Sequence, residues 1–465
     1  MSVDVKALLS LLINNKSSFR ITKQIHSYLL AKGTLIHSLP LLNNLIRCYS
    51  FSDAPHQSIC VFKQALNSSL PFNSFTYAFL VNSCSKSLHS TYVGIQLHGL
   101  TKKLGFASHV YVHTALLNMY CVGSDMKSAW LLFDEMPNRN IVTWNVIITG
   151  FVKIGLLEDA WKVFTQMPDK NVVSWTGIID GFVRMEKYNE AFKLFWEMFS
   201  CEGIEPSAIT LLAILPAISA SGDSNHCGSV HCYAEKRGFI LFDIRVANSM
   251  VGAYGRCGCI WSAMNLFDEI ADELKNLVSW TTIISGLAMH GMGDKAIDLF
   301  NIMENKGLKA NGVTFLSVMN ACSHGGLVEE GLMFFEKMRN DYEIEANIKH
   351  YGCVIDMLGR VGRSEEAERL ALGIPSQIVN DVVWRTLLGS CSMHGDAEMG
   401  ERVTKKIMEL EKGYGGDYAL MYNIFTAIGK FDDAEKLRSL MNTRNVHKLT
   451  GFSGINICAK SSEFL

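Results

Sequence analysis

Apolar residues in this chain recur as two linked ladders. In the stretch beginning at Leu277, Trp280, Ile283, Ile284 and Leu287 fall at i, i+3, i+4 and i+7, and the spacing returns after Gly291 and Gly293 as Ala296, Leu299, Phe300 and Met303. Apolar side chains at that spacing lie along one face of a helix, so the stretch predicts two amphipathic helices joined by a tight turn. The same ladders appear as Trp144, Ile147, Ile148, Phe151 with Ala160, Val163, Phe164, Met167. They appear again as Trp175, Ile178, Ile179, Phe182 with Ala191, Leu194, Phe195, Met198. The alanine that opens each second ladder is small enough for the two helices to approach closely.

Aligning on these ladders divides the chain into ten units, 39–73, 74–109, 110–140, 141–171, 172–207, 208–243, 244–276, 277–311, 312–347 and 348–380, each of 31 to 36 residues. A lone helical hairpin cannot bury its apolar face, so an all-α stack of neighbours is expected, without a long linker or an independent domain boundary. Units 74–109, 208–243 and 312–347 carry an altered second helix, as in VGIQLHGLTKKLGF, so long and short types alternate. Residues 1–38 contain KQIHSYLLAKG, similar to GIQLHGLTKKLG at 94–105, and are expected to form a degenerate N-terminal repeat or cap.

Composition narrows the options. At 465 residues the chain exceeds one ordinary core, and 48% hydrophobic residues with only 8 Pro argue against extended disorder. A formal net charge of −2 gives no global basic footprint, so any nucleic-acid binding has to rest on bases more than on phosphates. Thirteen cysteines, including Cys48, Cys84 and Cys353, sit mostly inside apolar helical patterns and read as reduced core residues. No apolar run reaches the length of about 18 residues that a membrane span needs, so no membrane partner is expected. The N-terminal stretch has Asp4 and few basic residues, which makes a poor transit peptide.

Phrases such as VTWNVIITGFVKIGLLEDAWKVFTQMP and VGAYGRCG, in an array of long and short units, resemble the PLS class of plant pentatricopeptide repeat proteins. After the last unit, DVVWRTLLGSCSMHGDAEMGERVTKKIMELE and GDYALMYNIFTAIGKFDDAEKLRSLMNTRNVHK look like that class's E-type extension, expected over 381–448 with a tail at 449–465. The resemblance implies a right-handed α-solenoid superhelix of helix-turn-helix repeats over 39–380. It also implies that each unit's fifth and last residues select one base of a single-stranded RNA, while second-position side chains pack against the base face.

Carried onto this chain, the base-reading pairs are Asn43/Asn73, Ala78/His109, Thr114/Asn140, Asn145/Asn171, Thr176/Ser207, Leu212/Asp243, Asn248/Asn276, Thr281/Asn311, Leu316/Asn347 and Gly352/Asn380. Six of these are polar at both places, and the family's pattern translates the array into a footprint Y-x-A-Y-R-x-Y-A-x-x. Asn and Thr offer the short donors and acceptors that a Watson–Crick edge requires. An Asn before a helix is also an ordinary cap, so the argument for readout rests on six pairs sharing one register. The stacking positions are Phe75, Tyr111, Val142, Val173, Ile209, Val278 and Val313, with Arg245 and Lys349 as departures whose cations could stack or meet phosphate. Trp144, Trp175, Trp280 and Trp384 each start an apolar ladder and are expected in the core.

Enzymatic chemistry lacks a carrier in the sequence. Relatives that end in a cytidine-deaminase-like domain need His-x-Glu with a downstream Cys-x-x-Cys to hold zinc, and neither spacing occurs. Cys257-Gly-Cys259, His226-Cys227 and His231-Cys232 lie inside repeat units and read as packing residues, and the residues after Cys458 leave no room for a domain. No phosphate-binding, dinucleotide or nucleophile-elbow motif is present. The expectation is a protein without catalytic residues, metal or cofactor.

By resemblance it is a site-recognition factor for C-to-U editing of an organellar transcript, mitochondrial first and chloroplast second. A deaminase-bearing pentatricopeptide repeat protein and other editing factors would act in trans, with unit 348–380 over the fourth nucleotide upstream of the edited cytidine. The alternatives are transcript stabilisation, splicing or translation, or a tetratricopeptide-like protein scaffold. The family's closing Lys-x-Pro-Gly-x-Ser-Trp-like run is altered here to HKLTGFSGINI, with Thr450 and Gly454 in place of Pro and Trp.

Overall fold

A computed structural model describes residues 3–14, 18–33, 38–66, 70–86, 91–201, 203–410 and 415–443. The tail 449–465 and the HKLTGFSGINI run lie outside them. The described residues form 27 α-helices and no strand.

The chain divides into two compact units, Met1–Ser221 and Gly222–Leu465. A uniform stack predicts no such boundary, and it falls inside repeat 208–243, at the turn between its two helices. The helix Ala208–Ser221 packs back on Val172–Arg184 and Tyr188–Met198 in the first unit, whereas Ser224–Lys236 packs on Phe239–Phe242 and Ile244–Arg256 in the second.

Within each unit the predicted hairpins are present. The first helices of successive repeats pack on one another: Leu39–Phe51, Ser74–Ser85, Val110–Val122, Ile141–Lys153, Val172–Arg184 and Ala208–Ser221 in the first unit. In the second they are Ile244–Arg256, Leu277–Met289, Gly312–Gly325, Ile348–Arg360, Asp381–His394 and Gly415–Ala427, so the E-type extension continues the same packing. Small residues set the approach: a Cβ on Gly255 would lie 3.4 Å from the Gly286 Cα, and Ala160, Ala191, Ala263 and Ala296 are fully buried.

The tryptophans are core residues. Trp144, Trp175, Trp280 and Trp384 are all buried. Three of them take the edge of a phenylalanine from the preceding repeat: Phe133–Trp144, Phe164–Trp175 and Phe267–Trp280 all have ring centroids 5.0 Å apart and nearly perpendicular planes. That edge-to-face geometry matches the ring quadrupoles.

A second recurring clip ties long-type repeats to the units after them. His26, His98 and His231 each hydrogen-bond through Nδ1 to a tyrosine hydroxyl, of Tyr49 at 3.0 Å, Tyr120 at 2.8 Å and Tyr254 at 2.9 Å. In most of the described hairpins the turn holds one residue at positive φ, filled by Gly155 and Gly291 among others but by Ser124 (φ 61°) and Glu186 (φ 57°) in two repeats.

Candidate nucleic-acid interface

The last residue of each repeat sits immediately before the first helix of the next, where the backbone is extended and four helical N–H groups lack partners. Asn73, Asn140, Asn171, Asn276, Asn311 and Asn347 all cap there through Oδ1, which accepts the N–H of the residue three positions on. The cap orients each carboxamide, with Oδ1 turned toward the helix.

The six polar pairs are all connected, in two ways. In the Asn/Asn pairs the amides meet directly: Nδ2 of Asn43, Asn145 and Asn248 donates to Oδ1 of Asn73, Asn171 and Asn276 at 3.1, 3.4 and 3.4 Å. In the Thr pairs the hydroxyl of a third residue intervenes. Thr114 Oγ1 lies 3.2 Å from Thr143 Oγ1, which donates to Asn140 Oδ1 at 2.8 Å. Thr281 reaches Asn311 through Thr314 at 2.8 and 3.0 Å, and Thr176 reaches Ser207 through Thr210 at 2.7 and 3.1 Å.

The four remaining pairs are built differently. Ala78 is buried, and His109 precedes its helix without a side-chain cap. Leu212 lies in the first unit and Asp243 in the second. Asn347, paired in sequence with Leu316, caps its helix, while Asn380, paired with Gly352, makes no side-chain cap bond and its Oδ1 is buried without a partner.

Second-position side chains stand exposed in the same register. Phe75, Tyr111, Val142, Val173 and Ile209 are exposed in the first unit, and Val278 and Val313 in the second. Between them lie open pockets. One of about 370 Å³ runs between Val142 and Val173 with Asn145 and Asn171 in its lining. Another, about 540 Å³, includes Tyr111, Val142, Thr114 and Asn140. The rings of Phe75 and Tyr111 lie 5.6 Å apart between centroids, and both border this second pocket together with Ala78.

The sequence matches known families along much of its length. Residues 139–172, 170–218 and 275–324 match the PPR repeat family, residues 111–141, 246–273, 313–342 and 349–370 match the PPR repeat, and residues 394–456 match the E motif. The chain is 51% identical over 96% of its length to the pentatricopeptide repeat-containing protein At1g09220, mitochondrial, of Arabidopsis thaliana, spanning 92% of that protein. It is 40% identical to At2g20540 of the same plant, over 91% of this chain and 79% of that one. The chain belongs to the pentatricopeptide repeat family. Among solved structures it is similar to the crystal structure of PPR10 from maize, with a TM-score of 0.49 and 16% identity, covering 91% of this chain and 72% of that one.

In this pentatricopeptide repeat protein Arg245 is engaged by a neighbour. Its Nε and Nη2 donate to Oδ1 and Oδ2 of Asp243 at 2.9 and 2.7 Å, and that contact holds the Asp243 carboxyl below the usual carboxylate range. The cysteine clusters also have ordinary surroundings. His231 is held by Tyr254, and burial pushes the Cys227 thiol up. Among the described residues no three His, Cys, Asp or Glu side chains converge on a metal-sized site.

Sequence reasoning missed one set of residues. Thr76, Thr143, Ser174, Thr210, Ser279 and Thr314, each three residues after a cap, are buried and hydrogen-bonded to it. The signal was legible, since the third position holds Ser or Thr after all six polar pairs and Val112, Val246 or Val383 after three of the other four. Pro40 and Val382 were also overlooked, both exposed at second positions.

Proposed function

We propose that this protein recognises a single-stranded organellar RNA base by base and marks a site on it for C-to-U editing, with the deamination supplied by a partner. The observation that carries the reading is the coincidence in one register of six hydrogen-bonded polar pairs and a row of exposed apolar side chains. A protein-binding scaffold has no use for short donors and acceptors at two fixed positions. A base set between apolar neighbours uses both, because its faces are apolar and its edge is polar.

The near-neutral charge supports the same reading, since affinity drawn from phosphates alone would need a basic face. The E motif at 394–456 supports recruitment of an editing partner, and the organelle in the name of the relative at 51% identity favours mitochondria. The chemistry is left to the partner because the chain carries no catalytic motif of its own.

The test is binding of the purified chain to an RNA with the footprint Y-x-A-Y-R-x-Y-A-x-x, against the same RNA with both A positions changed to C. Weaker binding to the changed RNA is expected, and equal affinity would refute base readout. Sequencing organellar transcripts from plants lacking the protein tests the editing role, which predicts an unedited cytidine downstream of that footprint. Intact editing with lost transcript ends would replace editing by transcript protection.

A further inference from the structure

We infer that the buried hydroxyl at the third position of the six repeats that carry one is a specificity-determining residue for the base read by the repeat before it. It acts by fixing which end of the capping asparagine faces the RNA, and the inference rests on the RNA-reading proposal above. Thr143 shows the arrangement. Its hydroxyl has one proton, donated to Asn140 Oδ1 at 2.8 Å, while its backbone N–H donates to the same oxygen at 2.9 Å. With Oδ1 held by two donors, the Nδ2 group is the end of Asn140 left to face a ligand, as a donor.

The fifth residue is set by the same hydroxyl. Because the Thr143 proton is spent on Asn140, Thr143 can only accept from Thr114, whose own proton goes either there, at 3.2 Å, or to the Val110 carbonyl at 2.8 Å. In both arrangements Thr114 shows a lone pair outward. The pair then offers an acceptor beside a donor, which complements the N6 amino group and N1 of adenine and opposes the O6 and N1–H of guanine. A carboxamide turned end for end would reverse that preference.

Asn380 is the internal control. It occupies the same place, but Val383 stands where Thr143 stands in the other repeat; Asn380 then makes no side-chain cap bond, and its Oδ1 is buried without a partner. At Asn380 the backbone N–H does not hold the amide, and at Asn347, followed by His350, only backbone N–H groups do, at 3.0 and 3.3 Å; caps followed by Ser or Thr at the third position are held in every case among the described residues. Valine is compatible with this position, since Val112, Val246 and Val383 are buried there.

The experiment uses the full chain, an RNA carrying the predicted footprint, and the same RNA with the adenine opposite Thr114/Asn140 changed to guanine. Wild type should prefer adenine. In Thr143→Val the adenine-over-guanine ratio should fall roughly fivefold, the scale of one neutral hydrogen bond, while Thr143→Ser should stay within about twofold of wild type. A Thr143→Val protein that keeps the wild-type ratio, or a Thr143→Ser protein that loses as much as valine does, would overturn the inference. A wild-type protein indifferent to the change would overturn the RNA reading itself, and this inference with it.

Discussion

Asn145 and Asn171 are joined amide to amide, Nδ2 of the first donating to Oδ1 of the second at 3.4 Å, although 26 residues separate them. Oδ1 of Asn145 is buried without a partner inside this arrangement. Replacing Asn145 by Thr would recreate the pair seen at Thr114/Asn140, with Ser174 as the connecting hydroxyl. Binding to RNAs that differ only at the matching base should shift from a pyrimidine to adenine, by roughly fivefold to tenfold if one or two hydrogen bonds decide it. An unchanged preference would count against readout by this pair.

Tyr111 is 64% exposed and borders the pocket that holds Thr114 and Asn140. Tyr111→Ala should therefore weaken RNA binding by about 1–3 kcal/mol whatever base is presented, because stacking is indifferent to base identity. Thermal unfolding should change little. Affinity measured against all four bases at that position separates a stacking role from an edge-reading one.

Glu186 occupies a left-handed turn that other repeats fill with glycine, as at Gly155 and Gly291. A side chain in that conformation costs roughly 1–2 kcal/mol, part of which is returned by glycine's greater freedom in the unfolded chain. Glu186→Gly should stabilise the first unit by up to about 1 kcal/mol in denaturant unfolding. A loss of stability would show that Glu186 makes a compensating contact.

Asn380 lacks the cap bond found in its counterparts. Val383→Thr supplies the missing hydroxyl and should stabilise the helix Asp381–His394 by about 0.5–1 kcal/mol, the usual worth of a cap. Hydrogen exchange at the first turn of that helix should slow.

Burial lowers the pKa of both His98 and His113 from the ordinary 6.5; Lys102 also lowers His98, His98 also lowers His113, and Glu135 opposes the shift in each. The unfolded chain therefore takes up protons that the folded one refuses. Their contribution to stability is fully present above pH 6.5 and is lost as pH falls toward the lowered values. The urea midpoint of the wild type should drop between about pH 7 and pH 5, and His98→Gln should flatten part of that slope.

The hairpins were legible because a helix face repeats every 3.6 residues, and residues such as Trp280, Ile283 and Leu287 state that period without help from the rest of the chain. The capping asparagines were legible because Asn before an apolar ladder has a local reason to be there. The register of the capping positions followed from those two. Arg245 was less readable: its sequence position suggested stacking or a phosphate contact, and only the structure shows it bound to Asp243.

By itself, then, the sequence determined which residues are helical, which side chains form the core, and where each repeat begins, because all three depend on spacing within one helix or one turn. The tertiary structure decided which polar groups meet. Hydrogen bonds such as Asn43–Asn73, Thr176–Thr210 and Thr281–Thr314 span 30 to 34 residues and form only when consecutive first helices lie side by side. It also decided which hydroxyls became buried links and where the stack divides, at Ser221 and Gly222, since both depend on which neighbour each helix packs against.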